Sequence, residues 1–199
     1  MAGMAEIYLM RHGETVWNVQ TRLQGRRDSP LTATGVRQAE AFGLRLRALF
    51  PDVQPPAIAS PLGRARQTAV IAVSAMGGDA GRIALDERLA EHAFGDWEGL
   101  TWEEVNRDHA DSLAARMADR WNVPAPGGES YAAVAARVAA WLDEMAATPG
   151  PRLVFSHGVT SRVIRGLYAG LGQPDAMSLK EPQDRIFRLA GGRIEEIVA

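Results

Sequence analysis

The sequence predicts an α/β fold with a largely parallel sheet. Short apolar runs typical of buried strands alternate with segments in which apolar residues recur at helical spacing. Three of the predicted strands end at a short polar loop that leads into a predicted helix. Strands that alternate with helices indicate βαβ units with right-handed crossovers. A chain of 199 residues suits one domain, which we place at 1–199 because no linker or repeat interrupts it.

The first unit begins with a strand at Glu6–Met10, directly before Arg11-His12-Gly13. Thr32 is predicted to cap the helix that follows, and Pro51 ends that helix. The helix has one apolar stripe, made of Ala39, Phe42, Leu46 and Leu49. The unit therefore places a histidine and an arginine in the loop at the end of a buried strand.

The second unit repeats this order of strand, loop and helix. Ala57–Ala59 is the predicted strand and stops at Ser60-Pro61. Residues 62–76 are rich in Ala, Val and Ile and form the predicted helix, which Gly77-Gly78 closes.

The third unit lies in the last third of the chain. Ser130 is predicted to cap a helix that ends at Pro149-Gly150-Pro151, and its buried face consists of Val134, Val138, Trp141, Leu142 and Met145. A strand at Arg152–Phe155 ends at Ser156-His157-Gly158, and a helix follows over about 160–168. Two further strands, 186–189 and 193–198, are predicted to form a hairpin around Gly191-Gly192.

The region between the second and third units has mixed polarity. We expect it to be helical over 101–121 and to form a lid at about 101–126.

Composition excludes several classes of function. With 22 Lys+Arg against 24 Asp+Glu, the chain has a net charge of -2 and lacks the basic field that a nucleic-acid partner requires. The absence of cysteine excludes disulfides, thiolate metal sites and a cysteine nucleophile. The first residues do not form a secretory leader, and no apolar stretch reaches the ~18 residues of a membrane helix. We therefore expect a cytoplasmic protein with no membrane partner.

Side chains suited to phosphate chemistry follow the three strands. The loops read Arg11-His12-Gly13, Ser60-Pro61-Leu62-Gly63-Arg64 and Ser156-His157-Gly158. The carboxyl ends of parallel strands meet at one edge of a sheet, so two histidines and two arginines are expected in one small space. Guanidinium groups bind phosphate oxygens, and a neutral imidazole can attack phosphorus to give a phosphoenzyme. One of the two histidines is then the nucleophile.

The chain resembles the histidine phosphatase superfamily, in its phosphoglycerate-mutase-like branch. The segment Leu9-Met10-Arg11-His12-Gly13-Glu14-Thr15-Val16-Trp17-Asn18 is close to the signature of that family. Further matches occur in order along residues 6 to about 165 and include Ser60-Pro61-Leu62, Arg64-Ala65, Glu91, Gly128-Glu129-Ser130 and Ser156-His157-Gly158. The resemblance implies a three-layer sandwich with a mostly parallel mixed sheet flanked by helices. It also implies a metal-free, cofactor-free site.

The resemblance also implies the roles of individual residues. His12 aligns with the phosphorylated nucleophile and Glu91 with the proton donor. Arg11, Arg64 and His157 align with residues that hold the phosphate and stabilise its transition state. The positions that line the phosphate or substrate site are matched by Asn18, Gln24, Gly25 and Gly158. On the residues alone Glu91 has the weakest case, since Glu87 and Glu98 lie nearby.

The predicted activity is that of a phosphomonoesterase of the histidine acid phosphatase type, with a small phosphorylated metabolite as substrate. Phosphoglycerate mutase activity is the first alternative. It is disfavoured because Gln24, Val159 and the lid depart from the mutase pattern, and the lid has only the scattered Arg107, Arg116 and Arg120. A non-catalytic phosphometabolite-binding protein is the second alternative. A homodimer is neither predicted nor excluded, because no segment of the sequence identifies an interface.

Other candidate residues have ordinary explanations. His92 and His109 lack ligand spacing to a second histidine, so we predict no metal site. The aromatic side chains of Phe94, Trp97, Trp102 and Trp121 are expected to pack against other residues and not to contact substrate. Trp121, in the lid, has the best case of the aromatic residues for contacting substrate.

Overall fold

A six-stranded sheet forms the centre of the protein. The computed structural model describes residues 5–148 and 150–199, so the predicted helix breaker Pro149 and the first four residues lie outside the described part. The strands are β1 (Glu6–Arg11), β2 (Ala57–Ala59), β3 (Ala84–Leu85), β4 (Pro151–Ser156), β5 (Arg185–Ala190) and β6 (Arg193–Val198). Their order in the sheet is β3-β2-β4-β1-β5-β6.

The sheet is mixed, as predicted. Strands β3, β2, β4 and β1 are parallel to one another, whereas β5 runs antiparallel to β1 and pairs with β6 as a hairpin. The register of the parallel strands aligns the loops that carry the candidate site. Arg11 pairs with Ser156, and the backbone N–H of His12 donates to the Ser156 carbonyl at 2.9 Å. His12 and His157 therefore leave adjacent strands at the same level.

Helices cover both faces of the sheet. They are α1 (Val16–Val19), α2 (Ala33–Leu49), α3 (Gly63–Ala75), α4 (Trp102–Asp108), α5 (Ala110–Ala118), α6 (Tyr131–Ala146), α7 (Gly158–Tyr168) and α8 (Gln173–Ser178). The predicted caps are confirmed, because the Thr32 hydroxyl accepts from the Gly35 N–H and the Ser130 hydroxyl accepts from the Ala133 N–H.

Two hydrophobic cores account for the three layers. Alternate residues of a strand point to opposite faces, and in β1 Ile7 and Leu9 join the core under α6 and α7. Tyr8 and Met10 join the core under α2 and α3. The predicted three-layer sandwich is therefore confirmed.

The structure departs from the predicted elements in a few places. Helix α7 begins at Gly158, two residues earlier than predicted. Three further elements, α1, β3 and α8, were not predicted, because they have only two to six residues and show too little periodicity in the sequence. The region of the predicted lid contains α4 and α5, and a small third core beside them includes Leu23, Trp97, Val105 and Ala125. Within the described ranges, no helix is both long and apolar enough to span a bilayer.

Candidate active site

A cleft of about 400 Å³ opens where β1, β2 and β4 end. Seven of the nine predicted site residues line it: Arg11, His12, Asn18, Gln24, Gly25, Arg64 and Glu91. His157 and Gly158 lie immediately behind these residues. The centroids of the His12 and His157 rings are 5.2 Å apart, and an added Cβ on Gly158 would stand 3.4 Å from the Cζ of Arg11.

The His12 side chain is held as a neutral imidazole of fixed orientation. Its Nδ1 lies 2.8 Å from the Gly13 carbonyl oxygen, which accepts and never donates, so Nδ1 carries the proton and Nε2 keeps its lone pair. The side chain is buried, and burial lowers the pKa of His12 well below its usual range, with Arg11 and Arg64 adding to the effect. Nε2 is therefore available for attack at neutral pH.

His157 is fixed from the opposite side. Its Nε2 lies 2.7 Å from the Ser60 hydroxyl, at the end of β2, while its Nδ1 has no partner in the described part of the chain. Burial lowers the pKa of His157 well below its usual range, and Arg64 and His12 add to this. The Ser60 contact ties the loop after β4 to the loop after β2.

Arg64 combines a structural role with a place in the cleft. From the start of α3 it donates to the carbonyls of Gly25 at 2.8 Å and Arg27 at 2.6 Å and pairs with Asp28 at 2.9 Å. Burial lowers the pKa of Arg64, and the charges of Glu91 and Asp28 oppose this; the guanidinium stays charged at neutral pH. Because Gly25 has φ +53 and a Cβ there would collide with Glu98, this loop requires glycine.

Arg11 is anchored by the segment before β5. It donates through Nη1 to the Glu181 carbonyl. The Glu181 carboxylate pairs with Arg162 and lies over Gly158. A Cβ added to Gly158 would stand 2.4 Å from the Oε2 of Glu181. Burial raises the pKa of Glu181, and Arg162 and Arg11 oppose the rise. Arg11, Arg162 and Glu181 thus form one charged group at the start of α7.

The Glu91 carboxyl group is bound by the first turn of α7. Its Oε1 accepts from the N–H of His92 at 3.0 Å and from the N–H and hydroxyl of Thr160 at 3.1 and 3.2 Å. Its Oε2 accepts one bond, from the Val159 N–H at 3.3 Å. Oε2 therefore accepts fewer hydrogen bonds than Oε1. Glu87 is exposed, and Glu98 binds the N–H groups of Arg26, Arg27 and Phe94.

Asn18 and Gln24 add neutral polar groups to the cleft. The Asn18 Oδ1 accepts from the N–H of Thr15 and from the Nε2 of Gln183, which assigns the oxygen to that side and leaves Nδ2 free to donate. The Gln24 Oε1 is buried without a partner in the described residues.

Several cleft residues were not predicted from the sequence. Arg22, Arg162, Glu181 and Tyr131 line the cleft, and so do Arg116 and Arg120 of the predicted lid. Arg162 could have been found, because it follows Gly158 by four residues on α7 and so shares its face. The others come from distant elements and carry no local signal.

The prediction for the aromatic residues was partly wrong. Trp121 packs, as predicted: its ring lies 6.2 Å from that of Tyr131, against the core under α6 and α7, and it does not line the cleft. Phe94 and Trp102 line the cleft instead, because α4 begins beside it. Trp97 is buried, as predicted.

The described residues include no group of three or more His, Cys, Asp or Glu side chains placed to hold a metal ion. His92 is buried between Phe94 and Tyr131, and its Nε2 lies 3.4 Å from a guanidinium nitrogen of Arg116. Burial lowers the pKa of His92 to about 4, and Arg116 adds to this.

Acid is expected to destabilise the protein through His92. The unfolded chain protonates this residue near pH 6.5 and the folded chain only near pH 4, so between these values the unfolded state binds more protons. The free energy of unfolding therefore falls as the pH is lowered, by roughly 2 kcal/mol at pH 5 from this residue alone. Urea unfolding at pH 7 and pH 5 measures the loss, and His92→Gln should reduce it. An equal loss in the variant contradicts the assignment.

Comparison with known proteins agrees with this geometry. Residues 7–189 match the family model of the histidine phosphatase superfamily, branch 1. An Erwinia tasmaniensis protein named "Probable phosphoglycerate mutase GpmB" is 36% identical over 170 residues, which cover 84% of this chain and 76% of that protein. The native structure of a mycobacterial glucosyl-3-phosphoglycerate phosphatase has a TM-score of 0.79 at 27% identity and covers 98% of this chain and 97% of its own. The alpha-ribazole phosphatase of Shigella flexneri has a TM-score of 0.78 at 26% identity, with coverage of 97% and 95%. The chain belongs to the histidine phosphatase superfamily.

Proposed function

We propose that the protein is a metal-independent phosphatase that hydrolyses phosphomonoesters of small metabolites through a phosphohistidine on His12. One observation carries the proposal: the Nδ1 of His12 is tied to the Gly13 carbonyl, so that Nε2 faces a cleft lined by Arg11 and Arg64. A fixed, neutral imidazole beside two guanidinium groups suits in-line attack on a bound phosphate dianion.

In the first step Nε2 of His12 attacks phosphorus and the bond to the ester oxygen breaks. Positive charge develops on the ring, and the Gly13 carbonyl stabilises it through the Nδ1–H. Arg11 and Arg64 stabilise the charge on the phosphoryl oxygens, with the Nδ1 of His157 as a further donor. Glu91 enters with a proton on Oε2 and gives it to the departing alkoxide, so the products of this step are an alcohol and phosphohistidine.

In the second step water attacks the phosphohistidine. The Glu91 carboxylate takes a proton from the water, Nε2 of His12 leaves with its lone pair, and inorganic phosphate is released. Glu91 is then protonated again and His12 is neutral, so the cycle closes. The N–H groups of Val159 and Thr160 hold the carboxyl group in place throughout.

A quench experiment tests the proposal. The protein is mixed with a ³²P-labelled phosphomonoester and stopped in alkali, where phosphohistidine is stable. We expect label on the peptide that contains His12 and none on the peptide that contains His157. No label together with no turnover of a panel of phosphomonoesters would support the non-catalytic alternative.

Mutase activity is the second candidate, because relatives of 36% identity bear the name phosphoglycerate mutase. The two activities differ in what accepts the phosphoryl group from His12, which is water in a phosphatase and a second substrate hydroxyl in a mutase. A coupled assay of 3- to 2-phosphoglycerate conversion, with and without the bisphosphorylated primer, separates them. Primer-dependent conversion faster than phosphate release would assign the mutase.

A further inference from the structure

Two of the described side chains that line the cleft are carboxyl groups, those of Glu91 and Glu181, and they are bound in different ways. The Glu91 carboxyl group accepts hydrogen bonds from backbone N–H groups at the start of α7. The Oε1 of Glu181 is buried and has no hydrogen-bond partner in residues 5–148 or 150–199. Glu91 is the acid and base of the proposed mechanism, whereas Glu181 takes no part in its steps. The presence of a second carboxyl group in a phosphate cleft therefore needs an explanation.

Glu181 offsets the charge of one arginine of the cleft. Its Oε1 lies 2.5 Å from the Nη2 of Arg162, a contact between charges that lacks the alignment of a hydrogen bond. Arg162 is also fixed by other groups, since it donates to the Leu179 carbonyl at 3.1 Å and to the Tyr131 hydroxyl at 3.2 Å. A guanidinium fixed in this way attracts a phosphate dianion, and the carboxylate beside it opposes that attraction.

The Glu181 carboxylate also lies beside Arg11, which the proposed mechanism assigns to the phosphate. A Cβ added to Gly158 would stand 2.4 Å from the Oε2 of Glu181 and 3.4 Å from the Cζ of Arg11, so both groups approach the same point. The Nη1 of Arg11 donates to the Glu181 backbone carbonyl, and its Nε is buried with no hydrogen-bond partner in the described part of the chain. A dianion bound by Arg11 therefore lies close to the negative charge of Glu181.

The charged groups around Glu181 favour its ionised form while the cleft holds no anion. Burial raises the pKa of Glu181, and the charge of Glu91 adds to the rise, but Arg162, Arg11 and Arg165 all oppose it. A phosphate dianion that enters the cleft brings two negative charges close to this carboxylate. Like charges in a partly buried site repel each other more strongly than they do in bulk water. The repulsion raises the free energy of the bound phosphate.

We propose that the Glu181 carboxylate weakens the binding of inorganic phosphate beside His12 and so speeds the release of this product. This inference rests on the proposed phosphatase function, in which phosphate is the last product to leave. With no carboxylate beside Arg11 and Arg162, the cleft would bind phosphate more tightly and would be inhibited by its own product. Release of product limits turnover in many enzymes. Glu181 thus sets the affinity of the site for the product and takes no part in the transfer of the phosphoryl group.

Titration calorimetry with inorganic phosphate and with sulfate at pH 7 measures the affinity of the site without turnover. Glu181→Gln should lower the Kd of both anions by about tenfold or more, because it removes a repulsion at close range and leaves the charge of Arg162 unopposed. In the hydrolysis assay the inhibition constant of phosphate should fall by the same factor, with no loss of kcat/KM. A damaged site binds phosphate less tightly, so a gain in affinity is not the result of lost structure.

Two further variants separate the charge of Glu181 from its shape and position. Glu181→Asp keeps the negative charge and should bind both anions more weakly than Glu181→Gln does. Asp184→Asn is the matched control, because it removes a carboxylate from the same segment of the chain. Asp184 is exposed, pairs with Arg185 at 2.6 Å and does not line the cleft. This control should keep the Kd of the wild type for both anions.

The outcomes separate this inference from the proposed function. An unchanged or higher Kd in Glu181→Gln, or an equal gain in affinity in Glu181→Asp or Asp184→Asn, overturns the role of Glu181. Label on His12 and turnover of phosphomonoesters would then still support the phosphatase. If the wild type binds phosphate but takes up no label and hydrolyses no phosphomonoester, the proposed function fails. A lower Kd in Glu181→Gln would in that case still assign Glu181 as the group that limits anion binding.

Discussion

Replacing His12 by Asn is expected to lower kcat/KM for phosphomonoester hydrolysis by about 10⁴-fold or more, the size of loss seen when a catalytic nucleophile is removed. The Asn amide can still donate to the Gly13 carbonyl, the bond that Nδ1 of His12 makes at 2.8 Å. It has no group in place of Nε2, so covalent chemistry stops while the loop keeps its hydrogen bond. Steady-state kinetics measures the loss of turnover, and the alkaline quench shows whether a phosphohistidine still forms.

The comparison with His157 makes this result specific. His157→Asn removes a phosphate donor and should lower kcat/KM while the remaining turnover still passes through labelled His12. His109→Asn is the control, since this residue lies outside the cleft, with its ring 6.5 Å from that of Trp97, and it should keep the activity of the wild type. Undiminished turnover by His12→Asn, or label that disappears only in His157→Asn, would reject the assignment of the nucleophile.

The central part of the site could be predicted from the sequence because it depends on the topology of the sheet. His12, Arg64 and His157 each follow a strand, and parallel strands bring such loops to one edge. The register of β1 and β4 then decides the detail, since Arg11 pairs with Ser156 and the two histidines become neighbours. Glu91 follows no regular strand, and only the family resemblance selected it from three nearby glutamates.

The outer part of the cleft could not be predicted, because it is assembled from elements that meet only in the folded chain. Glu181 reaches Arg11 across 170 positions of sequence. Arg116 lies on a helix of mixed polarity, where an arginine is usually solvated, and only the packing of Phe94 and Tyr131 around it shows that it is buried. The place of Phe94 and Trp102 in the cleft was missed for the same reason.

The proposed acid and the proposed nucleophile are held in place in different ways. The His12 ring is oriented by one hydrogen bond to a backbone carbonyl, whereas the Glu91 carboxyl group accepts hydrogen bonds from the first turn of α7. The same helix carries Arg162 and begins beside Arg11. A helix N-terminus favours negative charge nearby, and here it holds the carboxyl group that the proposed mechanism charges and discharges in each cycle. Glu91 can therefore be replaced by an amide that retains most of its hydrogen bonds.

Glu91→Gln is expected to lower kcat for an alkyl phosphate by about 10²- to 10⁴-fold, the usual contribution of general acid–base catalysis. The Gln carbonyl oxygen can accept from the N–H groups of His92 and Thr160, as Oε1 does at 3.0 and 3.1 Å, so the loop should keep its position. The loss should be smaller for formation of the phosphoenzyme from p-nitrophenyl phosphate, because nitrophenolate leaves without a proton. Rapid-quench measurement of the first turnover with both substrates gives this comparison.

Glu87→Gln is the matched control for this prediction. Glu87 is an exposed carboxylate four residues earlier in the chain, and it does not line the cleft. Its removal takes away a carboxylate close to Glu91 in the chain, so it reports any general electrostatic effect on a dianionic substrate. An equal loss with the alkyl and the nitrophenyl substrate in Glu91→Gln would show that Glu91 acts on the binding of phosphate. A loss confined to the alkyl substrate assigns it as the proton donor to the leaving group.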